Sequence, residues 1–345
     1  MSRLYNYIIT NIVHRDVTMS RLYNYIITHI ISTGTRRYHV STIKKHIMKF
    51  SAALHSMRLR TLPLSLAGVV LGIFLAAANH PVSAGVIVFL LLTTVSLQIL
   101  SNLSNELGDY LSGTDGDQRE GPLYSLAEGN ISVEDFKRLI VLFVFLCCFF
   151  GSAMIMTAFG TLFSLKAILL LVLGACAIWA ATHYTLGKRP YGYRGLGDIS
   201  VFIFFGLVSV MGGYFVVASA FDSWAVLLPA ACIGCFSVGV LNTNNIRDME
   251  SDADTRITIP LKIGERRAKV YQTVLITAGW ILMFAYTLIT YTSAWNLLYV
   301  IVLPLYILHL TGVWKHHGST LDKYLPILVM STFLFSLLAG IGNIL

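Results

Sequence analysis

Carboxylates and amides recur at helical spacing in two places where hydrocarbon-like sequence gives way to polar sequence. The first is Gln98-Ile-Leu-Ser-Asn102-Leu-Ser-Asn105-Glu106-Leu-Gly-Asp109, followed by Asp115 and Asp117. The second is Asn242-Thr-Asn-Asn245-Ile-Arg247-Asp248-Met-Glu-Ser-Asp252. Residues three and four apart share a helix face, so each run lays its oxygens along one stripe. Hydrocarbon tolerates such groups only where they are used. Oxygen-rich stripes of this kind suit Mg²⁺, which takes a few carboxylates and fills its shell with water and substrate phosphates. One run alone reads equally well as a helix end fraying into a solvated acidic loop, and Asp115 and Asp117 by themselves carry no more than that. Two runs, one of them with Asn102 and Asn105 inside apolar sequence, are poorly explained that way.

Cations lie between and after the runs. The segment Lys188-Arg189-Pro-Tyr191-Gly-Tyr193-Arg194-Gly-Leu-Gly-Asp198 offers Lys188 and Arg189 to phosphate oxygens, arginine with bidentate geometry. The same charges also serve as ordinary topology signals, and Tyr184, Tyr191 and Tyr193 as interfacial anchors. Arg256, Lys262, Arg266 and Arg267 form a further basic patch after the second run. Two carboxylate stripes and several cations in front of an apolar bundle suit a diphosphate with a long hydrocarbon tail. That combination implies prenyl transfer from an allylic diphosphate.

The elements that must position these groups are membrane helices. Of 345 residues, 56% are hydrophobic and 12% charged, against roughly 25% charged in a soluble domain. A hydrocarbon core takes about 20 helical residues to cross. Suitable runs lie at 62–79, 84–105, 139–159, 164–185, 199–220, 225–245, 270–291, 295–313 and 325–345. The fold class is therefore all-α, a polytopic bundle of nine spans in the lipid bilayer, with 62–79 and 295–313 the two shortest. With the N-terminus inside, the arm through Arg60 and the loops 106–138, 186–198, 246–269 and 314–324 hold 24 of the 25 Lys and Arg, leaving only Lys166 outside. The positive-inside rule then puts both acidic runs at the cytoplasmic face. No nucleic-acid-binding motif is present and the basic residues are dispersed, which argues against a nucleic-acid partner.

Residues 1–47 read as an N-terminal extension ahead of a membrane domain over 48–345. Met-Ser-Arg-Leu-Tyr-Asn-Tyr-Ile-Ile-Thr stands at 1–10 and again at 19–28, which suggests an upstream start; an interfacial amphipathic segment is the structural alternative. The five cysteines sit in apolar segments and read as small buried hydrophobes.

The motifs together resemble the UbiA superfamily of intramembrane aromatic prenyltransferases. They do so in Gln98-Ile-Leu-Ser-Asn-Leu-Ser-Asn, Gly113-Thr-Asp, Gly121-Pro-Leu, Lys188-Arg-Pro-Tyr-Gly-Tyr, Gly195-Leu-Gly-Asp198 and Leu241-Asn-Thr-Asn-Asn-Ile-Arg-Asp, in that order. Within that family they look like the branch acting on 1,4-dihydroxy-2-naphthoate in menaquinone synthesis. Glu106 stands where the family usually has Asp, Leu59 where it has Pro, and Thr255-Arg256 where it has Gly-Lys, so that Arg256 takes the place of a phosphate-contacting lysine.

The resemblance implies a nine-helix enzyme of a bacterial cytoplasmic membrane, with its site facing the cytoplasm. It implies two Mg²⁺ sites drawn from Asn105, Glu106, Asp109, Asp115, Asp248 and Asp252, and a polyprenyl diphosphate donor. Asn102, Arg58, Lys188, Arg189, Tyr191, Asn242, Asn245 and Arg247 are the implied substrate contacts, with Arg60 a further candidate and Asp198 orienting the basic loop. Asn105, Asp109, Asp248 and Lys188 are the implied catalytic set, and demethylmenaquinone the implied product. Two alternatives stay open: a sister enzyme using 4-hydroxybenzoate, and a cation transporter with acidic gates.

Overall fold

The computed structural model describes residues 51–113, 125, 126, 128–253 and 255–345. The chain divides into Met1–Ala53 and Leu54–Leu345, and the architecture that follows is that of the second unit. The repeat at 1–10 and 19–28, the upstream start and the interfacial alternative lie outside the described residues, as do Asp115 and Asp117.

Among the described residues, nine helices are long and apolar enough to cross a membrane. They are α1 (Leu62–Ala77), α2 (Ala84–Ser112), α3 (Val133–Phe159) and α4 (Leu165–His183), then α5 (Gly197–Ala218) and α6 (Leu227–Arg247), then α7 (Glu265–Thr290), α8 (Ala294–Lys315) and α9 (Leu325–Ile344). All nine expected spans are present, and their ends differ for local reasons. α2 runs on through the first polar run and stops at Gly113, whose φ of 75° makes the left-handed C-cap. α3 starts early because the Ser132 hydroxyl accepts from the Asp135 amide and Glu134 and Asp135 complement the helix dipole.

α8 shows how a short apolar run crosses. Its first nine residues, Ala294–Val302, are a 3₁₀ helix. Such a helix rises about 2.0 Å per residue against 1.5 Å in an α-helix. Pro304 then falls in the first turn of the α-helical part, where its missing N–H costs nothing. α5 is composite as well, with a π-helical stretch at Phe202–Val208 between two α-helical pieces.

The bundle packs unevenly. α6 through α9 meet around Phe236, Trp280, Tyr299, Tyr306 and Phe335, whose ring centroids lie 4.7–6.2 Å apart. A buried polar chain ties the same helices together. Gln272 Nε2 bonds His309 Nε2 at 3.0 Å, and His309 Nδ1 bonds the Tyr324 carbonyl at 2.9 Å. A carbonyl only accepts, so Nδ1 carries the proton, Nε2 accepts from Gln272, and His309 is neutral. Small residues bring backbones close: a Cβ on Gly206 of α5 would stand 2.5 Å from Gly234 Cα of α6, and one on Gly68 of α1 would stand 2.8 Å from the Phe205 carbonyl. In contrast, the apolar window of α4 is 11% buried and that of α3 22%, where that of α6 is 67%.

On one side of the bundle His80, from the α1–α2 turn, bonds Asp222, from the α5–α6 turn, at 2.7 Å, and Tyr214 donates to the same oxygen at 2.8 Å. The polar runs emerge at the other side. Gly206→Leu is expected to lower the thermal unfolding midpoint in detergent, through an overpacking cost of about 1–3 kcal/mol. An unchanged midpoint would mean that α5 and α6 separate freely.

Candidate active site

The first polar run is two rows rather than one stripe, because Asn102 and Glu106 lie one turn apart and Asn105 and Asp109 fall on the neighbouring row. The first row faces the entry to α1. Asn102 Nδ2 donates to the Met57 carbonyl at 2.8 Å and to Thr61 Oγ1 at 3.0 Å, while Gln98 Nε2 donates to Asn102 Oδ1 at 3.0 Å. Glu106 Oε1 accepts from Ser56 Oγ at 3.0 Å and the Leu126 amide at 3.2 Å. Its Oε2 is buried with no hydrogen-bond partner among the described residues.

The second row faces the loop after α4. Thr185 Oγ1 donates to the Ser104 carbonyl at 2.8 Å and lies 3.3 Å from Asn105 Oδ1. Asp109 Oδ1 accepts from the Tyr193 hydroxyl at 2.6 Å and from Arg256 Nη2 at 3.1 Å.

The second run divides as well. Asn242 turns inward, its Nδ2 donating to the Ala268 carbonyl at 3.0 Å and Gln272 Oε1 at 2.9 Å. It thereby joins the His309 chain. Asn245 shares a narrow cleft with Asp198, Tyr184, Arg256 and Thr258. Asp248 takes Arg247 in a two-pronged ion pair, Nε to Oδ1 at 2.7 Å and Nη2 to Oδ2 at 2.6 Å, and Arg247 Nη1 reaches Asp322 at 2.6 Å. Asp252 Oδ1 lies 3.1 Å from Arg256 Nε.

Arg256 is thus the meeting point of the two runs. Its guanidinium contacts Asp109 from α2 and Asp252 from the short helix Met249–Asp252, and stands 5.0 Å from the centroid of the Tyr193 ring. Asp109 and Asp252 are both buried. Burial works against the charge on Arg256, but Asp109 and Asp252 outweigh it and hold its pKa above the ordinary value. Burial, then Asp109, pushes the Tyr193 phenol up to about 12, so it stays a donor. The loop backbones close the arrangement: the Ile257 amide donates to the Tyr193 carbonyl at 2.9 Å, and Arg194 and Ile257 form an isolated parallel bridge.

The remaining expected residues take other places. Lys188 and Arg189 are exposed on the loop after α4, and Arg60 is exposed before α1. Arg58 holds a left-handed backbone, φ 48°, a conformation L-residues keep only under local constraint. The Tyr191 hydroxyl donates to the Ala180 carbonyl at 2.9 Å and lies 3.0 Å from Ser200 Oγ. Asp198 accepts from Tyr271 at 3.0 Å. Thr185 and Tyr193 were not expected as site residues. Arg256 had one visible signal beyond its place in the motif: it follows Asp252 by four residues.

An apolar cavity of about 340 Å³ opens behind this site. Asn102, Asn105, Tyr184 and Tyr191 line its polar end, and Val69, Leu90, Met154 and Val216 its other end. From Asn105 to Leu90 along α2 is about 22 Å at 1.5 Å per residue. The charges sit at one end and the depth is hydrocarbon-lined, which does not suit an ion path across the bundle.

Among the described residues, no three His, Cys, Asp or Glu side chains converge as a metal site. The donor set nevertheless fits a hard divalent cation. Asp109 and Asp252 already share one cation, the Arg256 guanidinium, and Glu106 Oε2 is a buried oxygen without a partner among the described residues. Mg²⁺ asks for no more than one or two protein carboxylates when a phosphate completes its shell.

The model of the UbiA prenyltransferase family matches residues 65–337. The 1,4-dihydroxy-2-naphthoate octaprenyltransferase of Escherichia coli is 38% identical over 263 residues, 76% of this chain and 84% of that protein. That of Haemophilus influenzae is 37% identical over 289 residues, 83% and 93% of the two chains. A UbiA homolog from Archaeoglobus fulgidus, solved bound to GPP and Mg²⁺, shares the fold with a TM-score of 0.60 at 17% identity, covering 85% of this chain and 99% of its own.

Arg256→Gln leaves two buried carboxylates without their shared cation, a loss of about 3 kcal/mol at the low end for a broken buried pair. In chelator its thermal midpoint is expected to fall below that of the unsubstituted protein, and added Mg²⁺ to raise it by more. Equal responses to Mg²⁺ would mean that the guanidinium and the metal do not share a place.

Proposed function

This chain belongs to the UbiA prenyltransferase family, and from that premise we infer that it transfers a polyprenyl group from an allylic diphosphate to 1,4-dihydroxy-2-naphthoate, a step of menaquinone biosynthesis. The observation that carries this reading is the pairing of a two-run carboxylate site with the apolar cavity that opens behind it. The identities of 38% and 37% to two naphthoate octaprenyltransferases support the acceptor.

The donor's diphosphate takes the polar end and its tail the cavity. Asp109 and Asp252 would hold Mg²⁺, with Asn105, Glu106 and Asp248 as further oxygen donors. When bound, Mg²⁺ neutralises the diphosphate and stabilises its departure. Released from the carboxylates, Arg256 turns to phosphate oxygens, and Lys188 and Arg189 close over them from the exposed loop. Tyr193 and Thr185 keep Asp109 and Asn105 aimed. The allylic C–O bond breaks and its electron pair leaves with the diphosphate. The apolar walls keep water from the allylic cation while the electron-rich ring attacks it. A C–C bond forms at the carboxylated carbon, CO₂ departs, and its bonding pair restores the ring. The transfer leaves the ring as the 1,4-diol, the reduced form of demethylmenaquinone, and the quinone lies one separate two-electron oxidation beyond this step. The distribution of Lys and Arg supports a site facing the cytoplasm of a bacterial inner membrane.

Asp109→Ala or Asp252→Ala is expected to cut transfer by on the order of 10²–10³-fold, the range for losing one preorganised charge-stabilising group, while the protein still inserts. Chelation should abolish turnover and Mg²⁺ restore it. Mass analysis with both acceptors decides the remaining point: preference for 4-hydroxybenzoate over the naphthoate would move the chain to the sister activity.

A further inference from the structure

Glycine inside a membrane helix is retained because a neighbouring backbone or ring comes too close for a Cβ. Most glycines of the nine helices obey this. A Cβ on Gly108 would lie 2.5 Å from Thr185, on Gly234 2.7 Å from the Phe202 ring, on Gly279 2.4 Å from the Phe236 ring, and on Gly213 3.0 Å from the Val69 carbonyl. Three glycines do not obey it: a Cβ on Gly151 of α3 would make only an ordinary contact, 3.8 Å from the Thr93 methyl, and two others have still more room. At Gly174 of α4 and Gly212 of α5, a Cβ would meet no atom within 4 Å. Both line the cavity behind the site. Each therefore gives up helix propensity of about 1 kcal/mol relative to Ala with no packing reason for doing so.

Their depth agrees. Gly174 lies ten residues before Tyr184 on α4, and Gly212 twelve residues after Ser200 on α5, so both stand about 15–18 Å from the polar end. We propose that Gly174 and Gly212 are specificity-determining residues that keep the cavity open at this depth, so that a long polyprenyl tail passes between α4 and α5 instead of ending there. The inference rests on the reading of the cavity as the donor-tail site. A short tail stops before the two glycines and does not sense them. A long tail must run past them. A side chain at either position narrows the passage without touching Asp109, Asp252 or Arg256.

The test compares geranyl and octaprenyl diphosphates as donors for the purified full chain. Gly212→Leu and Gly174→Leu are expected to lower kcat/KM for the octaprenyl donor by roughly tenfold or more, the scale of discrimination by a hydrophobic pocket, and to leave the geranyl donor within about twofold. Gly212→Ala, which adds only a methyl group to open space, should fall between; it carries the test if the leucine variants do not insert. Equal losses with both donors, or no loss with either, would overturn the inference while leaving the reaction in place. Failure of the unsubstituted chain to use either donor would overturn the reaction itself, and this inference with it.

Discussion

Two carboxylates buried at the end of a hydrocarbon bundle repel each other and cost solvation, and a cation between them offsets both. Arg256 is that cation. It draws Asp109 from α2 and Asp252 from the segment after α6 to one point, and it brings its own loop with it. That loop in turn pairs with the backbone of the loop after α4 through Tyr193 and Ile257. Remove the charge and three separate pieces of chain lose their common reference. On the proposed reading, a metal and a diphosphate would take over the charge balance that this one cation now provides.

The bundle behind this point is divided in its mechanical character. α6 through α9 carry the aromatic cluster and the Asn242–Gln272–His309 chain, both buried. α3 and α4 turn most of their surface away from the rest. The stiff half fixes the second carboxylate run, since Asn242 is bonded two ways into α7. The loosely covered half borders the cavity. Fixed charges and an adaptable apolar wall are therefore supplied by different helices.

Much of this was legible in the sequence. The nine apolar runs, the two polar runs and the charge imbalance follow from period and composition, which depend on single residues and not on their neighbours in space. What spacing could not separate were the rows within a run. Asn102 and Asn105 look equivalent by type and period, yet Asn102 secures the α1 entry through Thr61 and Met57 while Asn105 meets Thr185 of the loop after α4. Asp248 and Asp252 look like a pair, yet Arg247 takes one and Arg256 the other. Those outcomes are decided by which partner lies across the gap, and a linear pattern holds no information about that. Gly212 and Gly213 make the same point: neighbours of identical type, one against the Val69 backbone and one facing open space.

The π-helical stretch of α5 ends four residues before Gly212 and shifts the phase of the helix on which both glycines lie. A π turn accommodates one more residue than an α turn, so everything after Phe202–Val208 is rotated by about 100°, one residue's worth of helix. The stretch works as a phase setting. It lets α5 present one pattern of contacts to the polar end and an independently timed pattern to the depths of the cavity. Losing that single extra residue would turn the deep half of α5 against its polar end by the same angle, a change of another kind from narrowing the cavity with one side chain.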